Sequence, residues 1–125
     1  MRRPNILLID DDESVFLSLS LILEKDYNIF KAISGEQGLE VISRESIDFV
    51  FLDIRLPGMD GIDVLKKIRE RDKNIEVIMA TGVSDIKVAV EAMREGAFDY
   101  ILKPFDSEEV LMVVNKAAEK QELVR

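Results

Sequence analysis

Two apolar rhythms alternate along the chain. Short runs with no polar face recur at intervals of about 25 residues: Asn5–Ile9 (NILLI), Tyr27–Ile33, Ile47–Asp53 (IDFVFLD), Ile75–Ala80 (IEVIMA) and Phe98–Leu102. Runs of this length and kind predict strands covered on both sides, as in a parallel sheet. Between them, apolar residues recur every three to four positions, the helical period. Val15, Leu19, Ile22 and Leu23 predict a helix over 14–25. Ser34-Gly35-Glu36-Gln37 resembles a capping box that opens a helix to about Arg44. After a loop at Pro57–Gly61, the residues Ile62, Leu65 and Ile68 mark a helix to about Arg71. Ser84 or Asp85 caps the next, with Ile86, Ala89, Val90 and Met93 on one face and Gly96 as its stop. Asp106 or Ser107 opens the last, with Val110, Val113, Val114 and Ala117 turned inward.

Strand-helix alternation repeated five times with short connections predicts an α/β fold. We expect a flavodoxin-like (βα)5 arrangement, a five-stranded parallel sheet of order 2-1-3-4-5 with helices on both faces. One domain over 1–121 accounts for the pattern, and 122–125 reads as a tail or the start of a linker.

Composition narrows the chemistry. At 125 residues and 47% apolar content, the chain can bury one core. It has no cysteine and no histidine, which excludes disulfides, thiolate or imidazole metal sites and Ser-His triads. Any phosphohistidine in its chemistry belongs to a partner. A net charge of −8 disfavours direct contact with nucleic acid. Apolar runs are too short to span a bilayer, and Met1-Arg2-Arg3-Pro4 leads into a strand and not a secretory signal, so a cytoplasmic location is expected.

The polar residues at the carboxyl ends of the strands carry the functional signal. The first strand ends in Asp10 and Asp11, the third in Asp53, the fourth in Thr81 and the fifth in Lys103. In order 2-1-3-4-5, strands one and three adjoin at the switch point, where ligands bind in open sheets. Asp10, Asp11 and Asp53 then share one crevice, flanked by Thr81 and Lys103. Crowded carboxylates need a cation or a proton between them, and hard oxygen ligands suit Mg²⁺. A lysine beside them suits phosphate, and a threonine hydroxyl can donate to a phosphoryl oxygen. Asp53, ionised at neutral pH, can attack phosphorus without a separate base. Each feature alone has an ordinary reading: solvated acids at a helix start, a turn-forming aspartate, a strand end, a surface turn. Their coincidence at one end of successive strands outweighs those readings.

The stretches ILLIDDD, FLDIRLPGMDG, MATG and GAFDYILKPF resemble the receiver domain of two-component response regulators over essentially the whole chain. DIRLPGMDG and GAFDYILKPFD are most similar to receivers of enhancer-binding, sigma-54-dependent transcription activators. The resemblance implies that Asp53 is the phospho-acceptor for a sensor histidine kinase. It implies that Asp10 and Asp11 hold Mg²⁺, Asp11 more directly, together with Asp53 and the main-chain carbonyl of Arg55. Thr81 matches the switch hydroxyl, Lys103 the family's lysine, Tyr100 the switch aromatic, and Lys103-Pro104 a bond that is cis in the family. Arg55, bulky and charged beside the site, is expected to affect the lifetime of the phosphoryl group. The resemblance further implies a two-state signalling module and not a metabolic enzyme. Its altered surface, on the fourth helix, fifth strand and fifth helix, would control an output domain or downstream protein in transcription regulation. Dimers through the last two helices, linked to phosphorylation, are common in the family.

Other classes fit less well. A stand-alone phosphohydrolase working through an aspartyl-phosphate would carry two acids flanking one residue after the first strand, a pattern absent here. A flavin carrier would want a Ser/Thr/Gly-rich phosphate loop there, where Asp10–Glu13 would repel phosphate. An unphosphorylated interaction domain would not need the intact set.

Overall fold

A computed structural model describes residues 3–124. The strands are β1 (Asn5–Ile9), β2 (Asn28–Ala32), β3 (Phe49–Asp53), β4 (Glu76–Thr81) and β5 (Asp99–Leu102). The helices are α1 (Glu13–Leu23), α2 (Gly35–Arg44), α3 (Gly61–Arg71), α4 (Ile86–Arg94) and α5 (Ser107–Val124), with a single 3-10 turn at Val83–Asp85. The five strands form one parallel sheet in the order β2-β1-β3-β4-β5. The first strand has the expected bounds, the expected second, third and fifth run one or two residues long, the expected fourth starts and ends one residue early, and the expected start of α1 lies one residue late. The boundary expected at residue 121 falls inside α5. Met1, Arg2 and Arg125, and with the last the end of the expected tail, lie outside the described residues.

Alternation along each strand divides the apolar residues between two faces. Leu7, Ile9, Val50, Leu52, Val77 and Met79 pack under α2, α3 and α4. Ile6, Leu8, Phe49, Phe51, Ile78 and Ile101 pack under α1 and α5. All residues of β3 and β4 are buried, as a sheet centre covered on both faces requires. The charged end of Asp53 leaves the core only because β3 stops there.

Helix starts follow the side chains that cap them. Asp12 accepts from the Ser14 amide at 2.9 Å, Ser34 from the Gln37 amide at 3.2 Å, and Asp60 from the Ile62 amide at 2.9 Å. Gln37 reaches back to the Ile33 amide at 2.6 Å, one residue before the cap, so the box closes in a shifted form. Gly96 ends α4 with φ of +103°, a backbone that favours glycine.

Helix α4 differs from expectation. Its buried face is Ala89 and Ala92, while Ile86, Val90 and Met93 are 37%, 43% and 38% exposed. The helical period alone cannot choose between two neighbouring apolar stripes. The buried stripe is the smaller one, and the larger side chains lie at its margin. Helix α5 buries Val110, Val113, Val114 and Ala117 as expected, and fastens its far end to the amino-terminal edge of the sheet. There the Gln121 amide donates to the carbonyls of Asp48 and Asn74, at 2.6 and 2.9 Å, and Lys120 pairs with buried Glu76 at 3.2 Å.

Candidate functional site

Three carboxylates converge where β1 and β3 leave the sheet. Asp10, Asp11 and Asp53 each offer an oxygen within 4.8 Å of the others. Asp10 and Asp53 are buried and Asp11 is exposed, so the cluster opens to solvent on one side. The pairing of Ile9 with Leu52 sets this meeting, because the residues that follow must leave side by side. Asp10 is held on both oxygens: Oδ1 accepts the Asp12 amide at 2.9 Å and Oδ2 accepts Lys103 Nζ at 2.9 Å. Asp53 Oδ1 accepts the Arg55 amide at 3.1 Å and lies 3.5 Å from Lys103 Nζ.

Burial raises the pKa of Asp53, and the neighbouring charge of Asp10 raises it further; Lys103 and the Arg55 amide oppose them without prevailing. Burial also disfavours the charge on Lys103, but its bond to Asp10 and the charges of Asp53 and Asp10 outweigh it and hold the ammonium above its ordinary pKa. One lysine therefore serves two buried carboxylates, and an excess of negative charge stays in the crevice. That excess, offered by hard oxygens only, fits a small divalent cation such as Mg²⁺. Asp10, Asp11 and Asp53 are the residues that would hold it.

Thr81, the last residue of β4, is 1% exposed, and its hydroxyl donates to the Gly82 carbonyl at 3.1 Å. The Thr81 carbonyl in turn accepts the Lys103 amide at 2.8 Å, tying the ends of β4 and β5 together. Lys103-Pro104 is cis, as the resemblance implied. Tyr100 is half-buried on β5, against the cluster beneath α4 and beside Met112 of α5. Gly61 lies so near the end of β3 that a Cβ there would meet the carbonyls of Asp53 and Ile54, both at 2.7 Å.

The sequence did not reveal the role of Asp85. Expected at most as a helix cap, it makes no cap bond to α4. Its carboxylate instead accepts Arg55 Nε at 2.9 Å on each oxygen, and a terminal guanidinium nitrogen as well. Those bonds keep the Asp85 carboxyl below the usual carboxylate range. The sheet order offered one signal: β3 and β4 are neighbours, so charges of opposite sign just past their ends fall within reach of each other.

Comparison with known proteins gives a consistent relationship. Residues 6–115 match the family described as the response regulator receiver domain. The chain is 36% identical over 117 residues to sporulation initiation phosphotransferase F of Bacillus subtilis, covering 93% of this chain and 94% of that protein. It is 38% identical over 120 residues to the regulatory protein AtoC of Escherichia coli, covering 94% of this chain but 26% of that protein. The crystal structure of a response regulator receiver domain protein from Clostridium thermocellum superposes with a TM-score of 0.91 at 32% identity, over 98% of this chain and 99% of the other.

Proposed function

Because this chain belongs to the response regulator receiver domain family, we propose that it is a phosphorylation-switched module that accepts a phosphoryl group on Asp53 from a sensor histidine kinase. The observation that carries this reading is the convergence of Asp10, Asp11 and Asp53 around Lys103. An Asp53 carboxylate oxygen bonds to phosphorus as the phosphorus–nitrogen bond of the donor phosphohistidine breaks. The imidazole leaves with the electron pair and takes up a proton. Lys103 neutralises part of the charge on the phosphoryl oxygens. Asp10, Asp11 and the main-chain carbonyl of Arg55 would join Asp53 in holding Mg²⁺. Bound there, the ion offsets charge on the carboxylates and the transferring group.

The phosphoryl group shifts a two-state equilibrium only through contacts that differ between the states. Moving a population from about 1:99 to 99:1 takes about 5.5 kcal/mol. The Thr81 hydroxyl leaves Gly82 and donates to a phosphoryl oxygen, the 80–85 loop follows, and Tyr100 turns into the vacated space. The changed surface on α4, β5 and α5, where Ile86, Val90, Met93 and Met112 are already partly exposed, is read by an output domain or downstream protein or by a second copy of the chain. The module catalyses its own phosphorylation and dephosphorylation only. The regulator relatives, of which the chain spans about a quarter, support a role in transcription regulation. Cytoplasmic placement and a receiver unit over 1–121, with 122–125 as a tail or the start of a linker, complete the reading.

Incubation with Mg²⁺ and acetyl phosphate, followed by intact mass and peptide mapping, tests it. The added phosphoryl mass should fall on Asp53 and depend on Mg²⁺. No labelling of the wild type, or equal labelling of Asp53→Ala, overturns it.

A further inference from the structure

Arg55 spans two parts of the molecule. Its amide is bound to Asp53, and its guanidinium to Asp85 on the loop that follows β4. The two partners differ in freedom: Asp85 is 6% exposed, whereas the Arg55 side chain is 74% exposed. The carboxylate is therefore fixed in the protein and the cation is on a flexible tether. Asp85 also occupies the N-cap position of α4 without capping it. A side chain of the type that caps helices is here committed to an arginine from another loop.

We propose that Arg55 is a shared cation, held by Asp85 while Asp53 is unmodified and drawn onto the phosphoryl oxygens once Asp53 is phosphorylated, so that its departure releases the 82–85 turn. This rests on the reading of Asp53 as phospho-acceptor. A phosphoryl group brings close to two negative charges and three strong acceptor oxygens. A guanidinium whose backbone lies two residues from the acceptor matches them bidentately. Asp85, left behind, loses the bonds that hold the turn against Arg55. Rotation of the turn lets it turn to water or toward the N-terminus of α4, which favours a carboxylate. A cleft of about 310 Å³ beside the pair, lined by Ile54, Leu56, Asp60 and Val88, gives the turn room. Thr81 sits at the root of the same turn, so both pulls act on one segment. The direction follows: Asp85 competes with the phosphoryl group for Arg55 and opposes the switched state. Asp85 is a positioning residue that acts through Arg55.

Titration of the full chain with beryllofluoride and Mg²⁺ by calorimetry tests this, using wild type, Asp85→Asn, Arg55→Gln and the double variant, each checked for folding by circular dichroism. Asp85→Asn should bind beryllofluoride about fivefold or more tightly than wild type, and Arg55→Gln more weakly. Asp85→Asn should change affinity less than about twofold when Arg55→Gln is present, a dependence that a merely structural role for Asp85 would not produce. Hydrogen exchange of the 82–86 amides gives a second readout through the exposed partner, needed if Asp85→Asn does not fold. Exchange should speed up on beryllofluoride binding in wild type, and be fast already and unresponsive in Arg55→Gln. Unchanged or weaker binding by Asp85→Asn, an equal effect with and without Arg55, or the same exchange response in wild type and Arg55→Gln overturns the proposal. Failure of all four proteins to bind beryllofluoride, with no phosphoryl mass on Asp53 from acetyl phosphate, overturns the phospho-acceptor reading as well.

Discussion

Lys103 Nζ lies 2.9 Å from Asp10 Oδ2, joining residues 93 positions apart in the chain. The pair links the end of β1 to the end of β5 across the crevice that Asp53 enters from between them. Asp10 is 5% exposed and the Lys103 side chain 27% exposed, so the pair is largely removed from water.

Replacing Lys103 by methionine leaves Asp10 and Asp53 facing each other without a cation. We expect a loss of about 2 kcal/mol in Mg²⁺-free buffer, a fall in melting temperature of about 8 °C. Mg²⁺ should bind Lys103→Met more tightly than wild type, because the competing ammonium is gone. Melting curves and Mg²⁺ titrations check both. Unchanged stability with unchanged Mg²⁺ affinity would mean that the lysine does not neutralise the crevice.

Asp53→Asn should stabilise the Mg²⁺-free protein at neutral pH, with a definite pH signature. Burial and the Asp10 charge raise the pKa of Asp53 in the folded state. The folded protein therefore keeps this proton to higher pH than the unfolded chain, in which a carboxyl ionises near about 3.9. Between those two pKa values folding takes up a proton, so stability falls as pH rises. The advantage of the variant should open across that window, be full above the folded pKa, and vanish below the unfolded one. Urea melts in EDTA over a pH series measure it. A gap that widens toward acid reverses the sign and refutes the assignment.

Thr81→Ala should cost about 1 kcal/mol of stability, the worth of one buried hydroxyl hydrogen bond, while leaving phosphorylation of Asp53 in place. What it should remove is the response. The chain has two tyrosines and no tryptophan, so Tyr27→Phe leaves Tyr100 as the sole fluorophore of its kind. Acetyl phosphate with Mg²⁺ should change Tyr100 emission in that background and leave it constant once Thr81→Ala is added. An equal change in both would separate Tyr100 from the threonine.

Gly61→Ala tests the seat of Asp53. The added methyl would press on the Asp53 and Ile54 carbonyls, which are backbone and cannot rotate aside. Overpacking of this kind costs about 1–3 kcal/mol. Labelling of Asp53 should fall together with the melting temperature. Full labelling of a destabilised variant would show that α3 moves and the end of β3 does not.

The strand order and the five polar residues at the strand ends were legible in the sequence for one reason. A parallel sheet maps chain position onto space with little freedom, so side chains that close successive strands must gather at one edge. The Arg55–Asp85 pair was less accessible because both residues lie on loops, where spacing does not fix direction. The face of α4 was legible only in part: of the expected Ile86, Ala89, Val90 and Met93, Ala89 is buried, together with Ala92, while the three larger residues stay partly exposed, since the helical period alone does not fix which edge of an apolar stripe turns inward. Glu76 and Gln121 gave no local signal at all. Their burial depends on the far end of α5 folding back over the sheet edge, a relationship between positions about 45 residues apart or more.

The alanine face of α4 sets how firmly that helix is moored. On the opposite flank, α2 is wedged: a methyl on Gly38 would come within 2.4 Å of Ile9, and one on Gly35 within 2.6 Å of Val64. Helix α4 rests on Ala89 and Ala92, whose methyls each contribute roughly 1 kcal/mol by burial. Val88 adds to that contact, packed at the margin of the same core. The two helices thus differ in how they meet the sheet: α2 by close approach of glycines to Ile9 and Val64, α4 through alanines.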